Sequence, residues 1–313
     1  MFNSTHTFVA LAIARTGAGK WAPRAALTAV IASNFPDIDS ISGLWGTAAY
    51  LDHHRGITHS LIGVPVFALL LSAVMYFFSE KFWPTYAIAL VSMATHPALD
   101  YLNSYGLRPL LPWSRKWFYG DAVDIIDPYL DLLLLIGILA GVWSPRIKRG
   151  AAWMSLILAV LYIGARIELH AMALSNLKDQ ASQVSGVQTS AALPRMLTPQ
   201  LWNGIIETNH SITQFPVYVR RGPSPPGTRA TQISRGPSGE VVERAANAPS
   251  AAALLRFARF PITRVEQLSS EYRVTFFDFR FYRQGTALAS EVTLDQSMHV
   301  VKDNLSFVQS IEP

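Results

Sequence analysis

The chain has 313 residues, half of them hydrophobic and only 15% charged, a balance too apolar for an ordinary soluble enzyme and one that points to several membrane segments. The net charge of +5 falls partly in short loops between apolar segments, where Lys and Arg set topology. No nucleic-acid-binding motif accompanies it, so nucleic acid is not an expected partner; with no cysteine, thiolate metal sites, disulfides and cysteine nucleophiles are excluded.

The N-terminus has no basic leader region and no small-residue cleavage site, and reads as retained mature sequence. Two short apolar runs, 7–14 and 25–35, flank a basic, glycine-rich loop at 15–24. Each is too short to span a bilayer, and together they suggest a helical hairpin packed on or partly embedded in a membrane. The second run closes on Pro36-Asp37-Ile38-Asp39. Next, Asp52 to Ser60 packs three of the eight histidines, an arginine and an aspartate into one stretch, a costly polar cluster at the mouth of an apolar segment.

Four longer apolar segments follow, at 61–78, 83–94, 125–142 and 151–165, with Trp and Tyr gathered at their ends as an interfacial belt would be. The expected fold class is an α-helical integral membrane domain of about four transmembrane helices plus the N-terminal hairpin, followed by a small β-rich (α+β) C-terminal domain. The expected boundaries are a metal-site domain over 1–175, a linker over 176–200, and a β-rich domain over 201–313 with a flexible loop at 222–250, where Pro, Gly, Ser and Arg concentrate.

Counting segments as alternately up and down places His6, Asp37, Asp39, the 52–60 cluster, His96, Asp100, Asp121 and Asp124 on one side. The basic loops 15–24 and 146–149 fall on the other. Basic loops prefer the cytoplasm, so the polar side and the C-terminal domain are expected at the outer, periplasmic face. Arg108, Arg115 and Lys116 run against that assignment.

His6, Asp37, Asp39, His54, His59, His96, Asp100, Asp121 and Asp124 are the candidate metal ligands. Imidazole and carboxylate suit Zn²⁺ foremost, with Mn²⁺ and Fe²⁺ admissible, and this many donors could hold two or three ions. His96 and Asp100 are an i, i+4 pair that shares a helix face, although Pro97 between them could start or kink the helix. Of Asp37 and Asp39, one could bridge metals while the other orients a ligand histidine from behind. The Arg55 fork suits a phosphate or carboxylate; pairing with Asp52 or Asp39 is the competing reading. Thr58 could cap a helix beginning at His59. Taken singly, each of these residues has an ordinary explanation as a turn, a cap or a core histidine. Their shared sidedness makes the case for a centre. Glu168 and His170 are weaker additions.

His6, Pro36-Asp37-Ile38-Asp39, His54-Arg55-Gly56-Ile57-Thr58-His59-Ser60, His96-x-x-x-Asp100 and the acidic run into Asp127-Pro128 resemble the YdjM-like family. These are bacterial inner-membrane proteins described as LexA-binding, metal-dependent hydrolases. The order of His, Asp, His and His-x-x-x-Asp is also similar to the zinc-dependent phospholipase C and P1 nuclease group. That likeness implies His6, Asp39, His59, His96 and Asp100 as zinc ligands, one carboxylate also serving as base. The later His-x-x-x-Glu of that group has no counterpart here.

The expected function is a membrane-bound, metal-dependent hydrolase of a phosphoester in a lipid or lipid-linked substrate. An activated water would attack phosphorus, Asp39 or Asp37 would take its proton, and Arg55 would steady the developing charge. The alternative is a membrane regulator or scaffold with a structural metal and a C-terminal domain that binds a protein partner. A metal transporter ranks last, because the ionisable residues cluster at one end of the segments.

Overall fold

The computed structural model of the chain describes residues 1–220, 230–282 and 285–309. α1 (Asn3–Arg15) and α2 (Ala25–Asn34) are followed by a 3-10 segment, Phe35–Trp45, which Pro36 initiates. Then come α3 (Thr47–His53), a single 3-10 turn at Ile57–His59, α4 (Gly63–Ser79) and α5 (Phe82–Tyr101). A long loop leads to α6 (Pro128–Trp143) and α7 (Lys148–Ala181). Small side chains decide how the first helices meet: Ala10, Ala14, Ala25 and Ala29 are buried with Ile88 in one cluster, and alanines let helix backbones approach closely. The Asp127 carboxylate caps α6 by accepting the Tyr129 and Leu130 N–H groups, with Pro128 at the first turn. Tyr162 of α7 donates to the same carboxylate at 2.8 Å, joining the two helices.

The chain does not build the four transmembrane helices expected from its apolar segments. Among the described helices only α7, with 34 residues, is long and apolar enough to cross a membrane by itself, and Thr47–His59 with α4 passes that test only as a pair bent by 78°. With 17 residues in α4 and 16 in α6, these helices reach roughly 24–26 Å at 1.5 Å per residue, short of a hydrocarbon core of ~30 Å. α5 buries Ser92, His96 and Asp100 in the protein. The α1–α2 pair is not separate from the other helices. It is built into the bundle, with α1 against α5, α6 and α7 and α2 against α5.

The C-terminal part contains two antiparallel sheets. β1 (Val187–Pro194), β2 (Leu201–Thr208), β3 (Ser211–Tyr218) and β4 (Thr231–Ser234) form the first in sequential order. Helices α8 (Glu240–Ala246) and α9 (Pro249–Phe257) precede the second, made of β5 (Pro261–Gln267), β6 (Glu271–Asp278), β7 (Ala287–Asp295) and β8 (Val300–Val308). The stretch 176–200, read as a linker, holds the end of α7 and β1. Of the 222–250 stretch, residues 222–229 lie outside the described residues and the remainder contains β4 and α8. The adjacent phenylalanines of β6 serve opposite faces of its sheet. Phe277 packs with Ile205, Ile212 and Ile233 of the first sheet. Phe276 packs with Leu254 and Phe257 of α9 and with Leu51 of α3. That second cluster seats the β region against the segment that leads into the polar site. Ala173 and Leu177 of α7 pack on Trp202 and Val217 of the first sheet in the same way.

Candidate metal centre

Four side chains from three segments converge beside α5. Asp37 comes from the 3-10 segment, His59 from the isolated 3-10 turn, and His96 and Asp100 from one face of α5, which continues through Pro97. One ligand atom from each lies within 4.8 Å of the others. His59 Nε2 is 3.6 Å from Asp37 Oδ1 and 3.4 Å from Asp100 Oδ2. His96 Nε2 is 3.4 Å from each of the same two oxygens. These separations exceed hydrogen-bond length, and His59 Nε2, His96 Nε2 and Asp100 Oδ2 are buried without a hydrogen-bond partner among the described residues. Stranding this many polar atoms in an interior is expensive. A cation between them would satisfy His59 Nε2, His96 Nε2 and Asp100 Oδ2 together.

Their orientation fits such an ion. His96 Nδ1 lies 2.6 Å from the Ser33 carbonyl oxygen. A carbonyl only accepts, so Nδ1 carries the proton and Nε2 presents a lone pair to the carboxylates. His59 turns Nδ1 toward Asp39 Oδ2, at 3.3 Å, and the same logic leaves its Nε2 as a donor to a metal. Two imidazoles and two carboxylates are a set that Zn²⁺, Mn²⁺ and Fe²⁺ all accept. Burial would raise the Asp37 carboxyl, but His59 and His96 beside it hold it well below the usual carboxylate range. Burial pushes His96 down to about 4, so the ring is neutral at physiological pH, as a ligand must be.

Asp39 has a different place. Its Oδ1 is 2.8 Å from His54 Nδ1, and its Oδ2 accepts from the Arg55 backbone N–H at 3.0 Å and from Thr58 Oγ1 at 2.6 Å. Burial opposes its ionisation, yet His54 and His59 hold its carboxyl below the usual range. It organises the 54–59 loop from behind. Asp37, Asp39 and His54 form a second grouping within reach of one ion, in which His54 Nδ1 and Asp39 Oδ1 already engage each other. Thr58 bonds Asp39 and does not cap a helix; α4 begins at Gly63.

Arg55 is 4% exposed and stands at φ +54°, a left-handed conformation uncommon for a side chain of its size. Its guanidinium meets Asp100 Oδ1 at 3.1 Å and donates to Asn103 Oδ1 and to the Gly106 carbonyl, lying over the Tyr105 ring at 4.5 Å. The side chain thus pairs with Asp100, whereas Asp52 pairs with Arg256. The Met1 α-amino group also contacts Asp100.

The remaining candidates divide. His6 stacks on His96 with ring centroids 3.7 Å apart, and its Nε2 is 3.6 Å from Asp100 Oδ1, so it flanks the centre. Asp121, at φ +50°, pairs with Arg259 of the β region at 2.8 Å and lies outside both groupings. Asp124 accepts the Ile126 N–H at 3.4 Å and lies outside both groupings. His170 packs against Trp202. Sequence reasoning missed the Ser33 carbonyl, which carries no residue-type signal, and it missed Asn103 and Tyr105. Asn103, three residues past Asp100 and next to the helix end, was the legible one.

Two cavities lie nearby, and the second reaches a residue of the centre. One, of about 710 Å³, has Asp39, His53, Arg108 and Arg115 in its lining. The other, of about 500 Å³, reaches His59 and is otherwise mostly apolar.

A family model described as YdjM inner membrane protein matches residues 1–173. The chain is also 26% identical over 258 residues to "Uncharacterized protein YfhP" of Bacillus subtilis (strain 168), a match covering 81% of this chain and 76% of that protein. No solved structure matches it. These comparisons support the YdjM likeness and not the one to phospholipase C and P1 nuclease. The chain belongs to the YdjM inner membrane protein family.

Proposed function

We propose that this member of an inner-membrane family is a metal-dependent hydrolase acting on a phosphoester of a lipid or lipid-linked substrate. The observation behind the reading is the set of buried, unpartnered atoms His59 Nε2, His96 Nε2 and Asp100 Oδ2, gathered with Asp37. A divalent ion held there would polarise a phosphoryl oxygen and acidify a water. The rest falls to the chain's own residues. Asp37, with 19% of its side chain exposed, is far more open than His59, His96 and Asp100; its carboxylate takes the proton of the attacking water. Arg55 fixes Asp100 and balances its charge. Arg108 and Arg115, in the cavity that begins at Asp39, give the anionic substrate a basic wall.

The orientation is part of the same proposal. Gly17 abuts the Arg149 guanidinium, so the basic loops 15–24 and 146–149 lie together at the N-terminal end of α7. Basic loops favour the cytoplasm. The opposite end of α7, with the β sheets and the centre, then faces outward.

The test is elemental analysis of detergent-purified protein, followed by hydrolysis of bis(p-nitrophenyl) phosphate and of phospholipids. Bound transition metal and metal-dependent turnover are expected, both lost in His59→Ala and Asp100→Ala. Metal-free native protein, or variants that keep full metal content, would overturn the reading. A second reading, a regulator with a structural metal and a partner-binding C-terminal region, draws on the closed character of the centre, where three of the four side chains are at most 1% exposed. Full metal loading without turnover of any phosphoester would select it.

A further inference from the structure

The apolar cavity lies between the start of α4, the second half of α5 and the loop around residues 107–118. Apart from His59, Ser60 and Tyr101, its lining is entirely apolar. Ala94 and Ala98, four residues apart on α5, line one wall, and their small side chains leave the space open. His59 and Ser60 stand together in the lining, so the apolar space adjoins a residue of the metal centre. At about 500 Å³ it falls in the range of small-ligand pockets, roughly 300–1,000 Å³.

Its outer rim is continuous with a lipid-like surface. Leu61 is 69% exposed and Ile62 40%, and both lead directly into α4. There Val66, Leu69, Leu70, Val74 and Phe77 are also exposed, spaced three and four apart on one helix face. A contiguous apolar face of this kind marks a protein or membrane contact, and the chain belongs to an inner-membrane family. The cavity thus meets this apolar face at Leu61 and the metal centre at His59.

We infer that this cavity binds one acyl chain of a phosphate-bearing bilayer lipid, with the head group directed to the His59 end. The inference rests on the proposed phosphoester reading for the position of the head group, and on the cavity alone for the chain. It specifies the substrate class: the lipid keeps its tail beside α4 and α5 while its phosphate is presented at the centre. It also separates two substrate types, since a water-soluble phosphodiester needs the centre and not the cavity.

The experiment uses full-length protein in nanodiscs containing a phosphatidylglycerol with a diazirine on one acyl chain, photolysed and mapped by mass spectrometry. Labelling is expected on residues 90–101 and 61–65, in excess of the α4 face from Val66 to Phe77, which reports ordinary annular lipid. Leu90→Trp fills the cavity and Leu61→Asp charges its rim; each should lower cavity labelling about fivefold or more while leaving the α4 face unchanged. On unaltered protein, unlabelled dodecyl phosphate should compete for the cavity label alone, which keeps the test decisive if a variant fails to fold. Equal labelling of cavity and α4 face, or competition that lowers both together, would overturn the inference. Labelling needs no turnover. Cavity-specific labelling without metal-dependent hydrolysis would sink the hydrolase reading and leave the lipid site standing. Hydrolysis of bis(p-nitrophenyl) phosphate without cavity labelling would do the reverse.

Discussion

His96 and Asp100 face each other one turn apart on α5, Nε2 to Oδ2 3.4 Å, with Pro97 between them inside the helix. Pro97 removes one backbone hydrogen bond, yet the turn holds because both neighbours are anchored elsewhere: His96 through Nδ1 on the Ser33 carbonyl and Asp100 through Arg55. Asp100 therefore has two duties. Asp100→Ala should abolish metal binding and also leave the Arg55 charge buried and unpaired, a defect of roughly 3–5 kcal/mol. Combining it with Arg55→Leu should recover part of the stability and none of the metal. Denaturant unfolding and elemental analysis of the single and double variants read the two effects separately. Equal stability of the two variants would show that the Arg55–Asp100 pair is not the source of the loss.

Asp39 offers a second separation, between holding a metal and holding its ligands. Its oxygens are occupied by His54, the Arg55 N–H and Thr58, and it orients His59 from the side opposite Nε2. Loss of a carboxylate behind a ligand histidine lowers metal affinity by about 10–100-fold. Asp39→Ala should show a fall of that size in chelator competition, against complete loss in His59→Ala. If the two variants lose metal equally, Asp39 is itself a ligand.

The limits of sequence reading here are physical. Asp37, His59, His96 and Asp100 were legible because dense polar residues beside apolar segments need a partner and because i, i+4 spacing places two donors on one helix face. Asp121 was misread because its partner, Arg259, lies 138 residues away in sequence. The spans were over-counted because hydropathy shows neither how long a helix becomes nor what it packs on: α4 and α6 stop at 17 and 16 residues, and α5 buries Ser92, His96 and Asp100 in the protein. β1 escaped notice because its Val-Gln-Thr-Ser-Ala-Ala-Leu-Pro sequence has little strand character by itself. Pairing with β2 supplies the strand.

Metal-free protein should be acid-sensitive in a defined window. His96 has a folded value of about 4 against an ordinary 6.5, burial being the main cause. The unfolded chain therefore takes up a proton that the folded one refuses as pH falls from 6.5 toward 4, and stability declines across that interval. The depressed Asp37 and Asp39 carboxyls act in the same direction but only below the ordinary carboxylate value of 3.8. Thermal unfolding in EDTA at pH 7.5 and 5 (roughly either side of the ordinary histidine pKa) should show a lower midpoint at the acid value. Metal-loaded protein should unfold at a higher midpoint at both values, and a larger metal-induced gain is expected at pH 7.5, since protons compete with the ion at pH 5. A midpoint of metal-free protein that is flat across the interval would show that His96 is not held neutral by burial.

Two of the arginines that tie the β region to the helical part, Arg256 and Arg280, should differ sharply in importance. Arg256 meets Asp52 of α3 in a two-pronged pair at 3.0 and 2.7 Å, but the side chains are 48% and 33% exposed. Exposed pairs contribute about 0–1 kcal/mol. Arg280 is 1% exposed, bonds Asp278 at 2.6 Å, and donates to the Ser104 carbonyl at 2.7 Å and the Phe257 carbonyl at 3.0 Å. It therefore spans β region, α9 and the loop that carries Asn103 and Tyr105 beside Arg55. Arg280→Ala leaves Asp278 buried with its side-chain partner removed and frees two carbonyls, a loss of roughly 3–5 kcal/mol. Because the Ser104 anchor goes with it, metal retention should fall too, although no ligand has been touched. Arg256→Ala should change the unfolding midpoint little and metal content not at all. Chemical denaturation followed by metal release on both variants checks this. Equal behaviour would mean that the 102–106 loop is held by packing around Tyr105 rather than by Arg280.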